Sequence, residues 1–329
     1  PDLQNKYGSG SSPLWALNSD GTENRNISSG RSFGPRFDNK QVNVDGFPTD
    51  YSEKKDNLKN LYQTGAYRNT NVALTGGSDT GSFRFSYSNL ETNGITLNNE
   101  FRRNSFSLNA QQDLSSRISV EGGFAYVESG AQNPTVQGGD GSPVYDFMYS
   151  VAREYDTSYW LQDKRYINSA GNGYNGEDPY QYSKMLYDYL ENKYNQRESS
   201  FRSYLNVDIE LADWLTFKAK ADLYKLYTTN ESKIMATGAS NFDGSAYNIK
   251  ENKKDQYKIT GMLTATHSID KFNMAATVAM EQWDTRSGYH NSFSQNGLLV
   301  PGLFDMTNSV ERARTDVRYN TNRKRINSV

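Results

Sequence analysis

Apolar and polar residues alternate along this chain with a period of two. In "ELADWLTFKAKADLYK", residues 210 to 225, Leu215, Phe217, Ala219, Ala221 and Leu223 fall on one face of an extended strand. Thr216, Lys218, Lys220 and Asp222 fall on the other. Successive strand side chains point to opposite faces, so one face is greasy and the other wet. The phase can be followed. Val72 and Leu74 are even; Phe83, Phe85 and Tyr87 are odd. Phe106, Leu108, Ala110 and Leu114 are even, as are Ile118, Val120, Phe124 and Tyr126. Val207, Ile209 and Leu211 are odd and continue in phase into Leu215 to Leu223. Leu263, Ala265 and Ile269 are odd; Phe272, Met274, Ala276, Val278 and Met280 are even. A ninth, weaker segment surrounds Val317 and Tyr319.

Phase fixes the turns. Residues opposite each other in a hairpin share a face, so a kept phase needs an odd loop and a flipped phase an even one. Leu114 to Ile118 and Leu211 to Leu215 keep phase, which predicts three-residue loops at Ser115–Arg117 and Ala212–Trp214. Ile269 to Phe272 flips it, which suits Asp270-Lys271, and Leu74 to Phe83 flips it near Gly77-Ser78-Asp79-Thr80. Between these hairpins lie a moderate connection at residues 92–100 and long ones at 131–197, 228–254 and 286–312. Short turns at one end and long loops at the other are the pattern of an outer-membrane β-barrel, whose greasy face touches lipid and whose wet face lines a lumen. A soluble antiparallel sandwich or propeller also alternates. Its connections are not sorted so strictly by length, and strand signals such as 201–211 and 255–269 exceed the usual ~5–6 residues. The predicted fold class is all-β, an antiparallel transmembrane barrel with short periplasmic turns and long extracellular loops carrying small helices.

Composition agrees. Only 35% of the 329 residues are hydrophobic and the mean hydropathy is −0.85, yet aromatics reach 13% with 24 Tyr. Too little apolar mass is present for a conventional core, and too much aromatic for a disordered chain. A net charge of −2 gives no electrostatic case for nucleic acid. No stretch approaches the ~20 apolar residues of a membrane helix. With no cysteine, disulfides, thiolate metal sites and cysteine nucleophiles are excluded. The chain begins at Pro1 and ends on "KRINSV", and reads as an internal piece that breaks off just before another strand.

Catalytic chemistry has little to work with. His267 and His290 stand in no recognisable motif with serine and carboxylate, and His267 reads as an interfacial strand residue. "GNGYNG" at 171–176 matches a dinucleotide fingerprint in letters but lacks the flanking strand and helix, so it reads as a turn. "GGDGSP" lacks EF-hand spacing. No cofactor, metal or enzymatic activity is expected.

The 131–197 loop holds eleven of the 24 Tyr, together with Trp160. Ser142-Pro143 and Asp178-Pro179 each place a capping residue before Pro, as at a helix start. Val144, Phe147, Met148 and Val151 then follow helical spacing, as do Tyr182, Met185, Leu186 and Tyr189. Two readings stand. The aromatics form a wall that stacks on a ligand at the barrel mouth, or they fold the loop on itself and against a partner.

Residues 56–114, "DNLKNLYQTGAYRNTNVALTGGSDTGSFRFSYSNLETNGITLNNEFRRNSFSLNAQQDL", resemble the SusC/RagA family of TonB-linked outer-membrane transporters of Bacteroidota. The likeness runs through Asn57, Tyr62-Gln63-Thr64-Gly65, Gly76-Gly77, "FSYSNLETNGI" and Arg102-Arg103. "SFGPRFDNK" (32–40) resembles the family's Trp-Gly-Pro segment, with Phe33 where Trp is usual. "YLNVDIELADWLTFKAKAD" and the terminal "KRINSV" read as family strands. The resemblance implies part of a barrel of roughly 22 strands, without plug or TonB box. Residues 1–65 would be the plug–barrel junction and first barrel segment, and 66–329 the N-terminal part of the barrel. It further implies TonB-dependent import of a large nutrient, oligosaccharide or peptide, across the outer membrane. A SusD-like surface lipoprotein would be the lid, TonB would engage through the missing plug region, and the pair would assemble as a homodimer in outer-membrane lipid. Tyr159, Trp160, Tyr166 and Tyr174 are then candidate substrate contacts, and Tyr182, Met185, Leu186 and Tyr189 candidate lid contacts. A structural subunit of a larger outer-membrane complex and a passive porin remain alternatives.

Overall fold

The structure, a computed structural model, describes residues 5–27, 32–44, 47–134, 147, 151–180, 182–236, 244–269 and 271–328. Each of the nine alternating segments is a strand, and the nine form one antiparallel meander in chain order. They are β6 (Ala66–Ser78), β7 (Gly81–Asn93), β8 (Glu100–Ser115), β9 (Ile118–Gln132), β10 (Lys193–Ala212), β11 (Leu215–Ile234), β12 (Ala246–Ile269), β13 (Phe272–Leu298) and β14 (Ser309–Ser328). Ahead of them, β1 (Ala16–Leu17) pairs with β2 (Glu23–Asn24), and β3 (Asn26–Ile27), β4 (Gln41–Val44) and β5 (Phe47–Asp50) form a small mixed sheet. After β9 the described residues include two helices, α1 (Thr157–Leu161) and α2 (Ser183–Glu191).

The register places the followed phase on one continuous face. Leu74 lies opposite Phe85, Phe85 opposite Leu108, and Leu108 opposite Phe124. Val120 faces Val207, Val207 faces Ala219, Phe217 faces Leu263, and Leu263 faces Val278. The other face of β7 and β8 carries small polar pairs such as Ser86 and Ser107, whose hydroxyls lie 2.6 Å apart. The apolar run from Leu215 to Leu223, like that from Phe272 to Met280, spans nine residues. That matches the ~9–11 that a tilted strand needs to cross a bilayer core. Among the described residues, no buried hydrophobic lies in this band; Val72 is 57% exposed and Phe272 74%. The fold is therefore a stretch of antiparallel barrel wall that does not bury its own greasy face.

Two expectations change. The two odd loops are two-residue turns, Ser116-Arg117 and Asp213-Trp214, each preceded by a register shift at Asp113/Ser115 and Glu210/Ala212. A bulge absorbs the odd residue, so parity holds while the turn shortens. The long connections shrink to 235–245 and 299–308, because β11 to β14 run far above the apolar band. There both faces meet water, so alternation disappears from the sequence while the backbone ladder continues. The closing "KRINS" belongs to β14 itself, opposite Ala279 to Trp283, in line with its reading as a strand.

Candidate functional site

The described residues of the 133–192 connection fold with the N-terminal segment into a cap with its own core. Leu61, Phe147, Val151, Tyr155, Tyr166, Leu186 and Tyr187 are buried together, with Trp160, Tyr174, Tyr180 and Met185 packed around them. A second small core joins Ile27, Val42, Val44 and Tyr51. Residues far apart in sequence are stitched by polar contacts. Ser9 N donates to Glu154 Oε1 (2.8 Å), Asn57 Nδ2 donates to Ala152 O (3.0 Å), and Lys54 N donates to Arg153 O (2.8 Å). The Arg153 guanidinium donates to the side chains of Asn57 and Asn5. Tyr51 Oη donates to Pro35 O (2.8 Å), and the "FGP" turn lies flush on this seam. A Cβ on Gly34 would stand 1.9 Å from Ser9 O, so only glycine fits.

Tyr155 is the hub. Its ring stacks on Trp160 (6.3 Å, 6° between planes) and meets Tyr182 edge-on (5.0 Å, 90°). Its hydroxyl donates to Asp178 Oδ2 (2.8 Å). Asp178 also accepts from the backbone N–H groups of Tyr180 (3.0 Å) and Ser183 (2.5 Å). Burial pushes the Tyr155 and Tyr180 phenols far above their ordinary range, and pushes the Asp178 carboxyl up as well.

Helix α1 is capped by Asp156, whose Oδ1 accepts from Tyr159 N (3.1 Å). Asp163 and Lys164 then take left-handed backbone angles (φ 51° and 54°) and turn the chain sharply. "GNGYNG" closes a turn between Ile167 and Tyr174, with Asn168 N donating to Gly173 O (2.9 Å). It opens no helix, which agrees with the turn reading. Asp178-Pro179 does not start α2. The helix begins at Ser183, and Asp178 caps its first N–H from five residues upstream. Of the first expected helix, Ser142, Pro143, Val144 and Met148 lie outside the described residues, while Phe147 and Val151 are buried in the cap.

Between β5 and this Tyr-rich wall lies a cleft of about 980 Å³, lined by Asp50, Lys54, Tyr159, Trp160, Arg165 and Glu177 among others. Tyr159 is 51% exposed, and the Arg165 guanidinium lies 4.3 Å from its ring centroid. The cleft thus offers ring faces together with charges of both signs, a lining that grips a polymer with apolar and polar groups. The structure brings Tyr159 and Trp160 to it. Tyr166 is buried behind them, with its hydroxyl donating to Glu191 (2.8 Å), and Tyr174 packs against the cap core. Tyr182 and Leu186 are buried within the cap; Met185 and Tyr189 stay partly exposed on α2.

Sequence spacing gave no sign of a chain of side chains across β11 to β14. Tyr227 donates to Glu251; Glu251 Oε2 lies 3.0 Å from His290 Nδ1, and His290 Nε2 lies 3.3 Å from Ser292 Oγ. The order is that of a hydrolase triad, but Ser292 sits mid-ladder, paired with Ile249 and Thr315. Its strand's N–H groups are engaged in pairing, so no oxyanion hole is available. This is a cross-strand polar ladder. Among the described residues, no group of three or more His, Asp or Glu is placed to hold a metal ion.

No protein-family model matches the chain, and no curated protein does. Solved structures do. The chain is similar in fold to structures described as the RagAB peptide importer in the closed-closed state (17% identity, TM-score 0.62), the RagAB peptide transporter (16%, 0.64) and the importer in the open-open state (16%, 0.59). These matches cover 84%, 85% and 80% of this chain. They cover 31%, 31% and 29% of the matched chains, so the chain spans about a third of their length.

Proposed function

We propose that this chain forms part of the wall and mouth of an outer-membrane importer for a large nutrient, an oligosaccharide or peptide. Import is driven through TonB and closed by a SusD-like lipoprotein lid, with the pair assembled as a homodimer. Residues 1–65 serve as the junction leading from a plug into the barrel. One observation carries the reading: an aromatic and charged cleft is built at the long-loop end of a wall whose followed face is greasy from β6 to β13. The RagAB likeness supports the same direction, as does the sequence resemblance at residues 56–114. Tyr159 and Trp160 are the substrate wall, with Tyr166 and Tyr174 holding them from behind. Met185 and Tyr189 offer α2's accessible apolar surface to the lid, and Tyr182 and Leu186 hold that helix in place.

The test uses the full-length protein with its partner. Tyr159→Ala and Trp160→Ala are expected to weaken uptake while assembly and lid retention persist. Met185→Ala and Tyr189→Ala are expected to release the lid first. Uptake and lid retention unchanged in all four variants would contradict the assignment.

A further inference from the structure

The wet face of the wall is not uniform in charge. On β8 to β10 it presents Asp113, Glu121, Glu198, Asp208 and Glu210 against Arg103 and Arg202, with Asp208 paired to Lys218 of β11. On β12 to β14, from the level of Asn248 down to that of Lys258, the same face presents Lys250, Lys254, Lys258, Arg314, Arg318 and Lys324, against one carboxylate, Asp316. Lys258 is paired with Glu281 (2.9 Å) and Arg314 with Asp316 (3.4 Å). Lys250, Lys254, Arg318 and Lys324 have no carboxylate partner among the described residues, and all four are exposed. Lys250 Nζ lies 5.3 Å from the Tyr289 ring centroid, and a depression of about 540 Å³ opens beside it, lined by Lys254, Tyr289 and Arg318.

We propose that this basic strip is a track for an extended, carboxylate-bearing peptide entering the lumen; the inference rests on the import reading above. The spacing argues for a peptide. Asn252 is level with Tyr289 and Arg318, and Lys258 with Trp283 and Lys324. The unpaired cations therefore stand at the levels of residues 250, 252, 254 and 258 of β12. Alternate strand residues rise by about 6.7 Å, the same repeat at which alternate side chains of an extended peptide return to one side. Acidic side chains at every second position meet cations at the 250, 252, 254 and 258 levels, with the uncharged Gln256, Thr285 and Asn322 between the last two, and Tyr289 and Trp283 stand on the same face. The acid-rich face of β8 to β10 repels the same cargo and keeps it on this side of the lumen.

The experiment measures binding and uptake by the full-length protein with its lid. One probe is a peptide alternating Glu and Thr; the other is its Gln–Thr counterpart of equal length. Lys254→Gln combined with Arg318→Gln is expected to weaken the acidic peptide about five- to tenfold and the Gln peptide less than about twofold. Salt near ~0.5 M should erase the wild-type preference. Lys225→Gln, on the opposite face and outside the depression, should change neither. Equal binding of both peptides by the wild type would overturn this inference and leave import standing. Binding of neither would overturn both. An acidic oligosaccharide that binds in place of the peptide, with the same sensitivity to Lys254 and Arg318, would also overturn the peptide assignment.

Discussion

The wall and the cap solve the problem of apolar surface in opposite ways. The cap buries Tyr51, Tyr155, Leu186 and Tyr187 to 1% exposure or less and satisfies most of their hydroxyls internally. The wall leaves Leu74, Ile259, Phe272 and Met280 more than half exposed, on one face, over strands whose ladders are continuous. A regular sheet with a uniform greasy face and no second layer of its own needs an apolar solvent. The difference shows which apolar residues are stability elements of the chain alone and which depend on the membrane.

That contrast can be broken at its strongest point in the cap. Tyr155→Ala removes the hub ring and one of the hydrogen bonds that Asp178 accepts, and is expected to cost about 3–5 kcal/mol locally. Limited proteolysis should then cleave within residues 151–191 while the barrel still migrates as a folded, heat-modifiable species. Loss of barrel assembly together with the cap would show that the two regions are not independent. In the wall, Phe217→Arg is expected to cost about 2–4 kcal/mol of folding in lipid vesicles, and Lys218→Ala well under half of that. Lys218 pairs with Asp208 at 2.9 Å on a half-exposed surface, where such a bridge contributes little. Equal costs at the two positions would sink the facial assignment.

A smaller effect sharpens the cap's electrostatics. Burial raises the Asp178 carboxyl pKa above its ordinary 3.8. A carboxyl raised by folding adds stability that is fully present below the unfolded pKa and fades as pH rises through the folded one. Cap proteolysis should therefore slow as pH falls from 7 toward that value, and Asp178→Asn should flatten the dependence. Faster cleavage at the lower pH would give the wrong sign. Smallest of all is the position of Trp214. It is 55% exposed in the Asp213-Trp214 turn, and its carbonyl accepts from Thr266 N (2.8 Å). Brominated lipids should quench it most at headgroup depth; deepest quenching at the bilayer centre would contradict the turn.

How much was legible in the sequence follows from the same contrast. The strand faces were readable because lipid on one side and water on the other force period two onto residues such as Phe217, Lys218 and Ala219. The upper reaches of β12 and β13 were not, because water wets both sides there and the ladder is held by backbone groups that any residue supplies. In the loop, tyrosine density marked the region, and Tyr159 and Trp160 do reach the cleft. Which aromatics turn inward depended on contacts such as Ser9 to Glu154, 145 residues apart, which leave no local signature. The start of α2 was displaced because Asp178 caps across a turn rather than from the adjacent position. The basic strip was hidden for a similar reason: Lys254 and Arg318 become neighbours only through strand pairing.

The central claim is that the followed phase meets lipid and its complement meets water. These 329 residues hold no cysteine, so a single thiol placed among them reports on its own position once any cysteine elsewhere in the full-length protein has been replaced. In the full-length protein in vesicles, Lys220→Cys should react with a water-soluble thiol reagent, while Ala219→Cys should stay unlabelled until the bilayer is dissolved. Equal labelling of the two, or protection of position 220 with exposure of 219, would contradict the account.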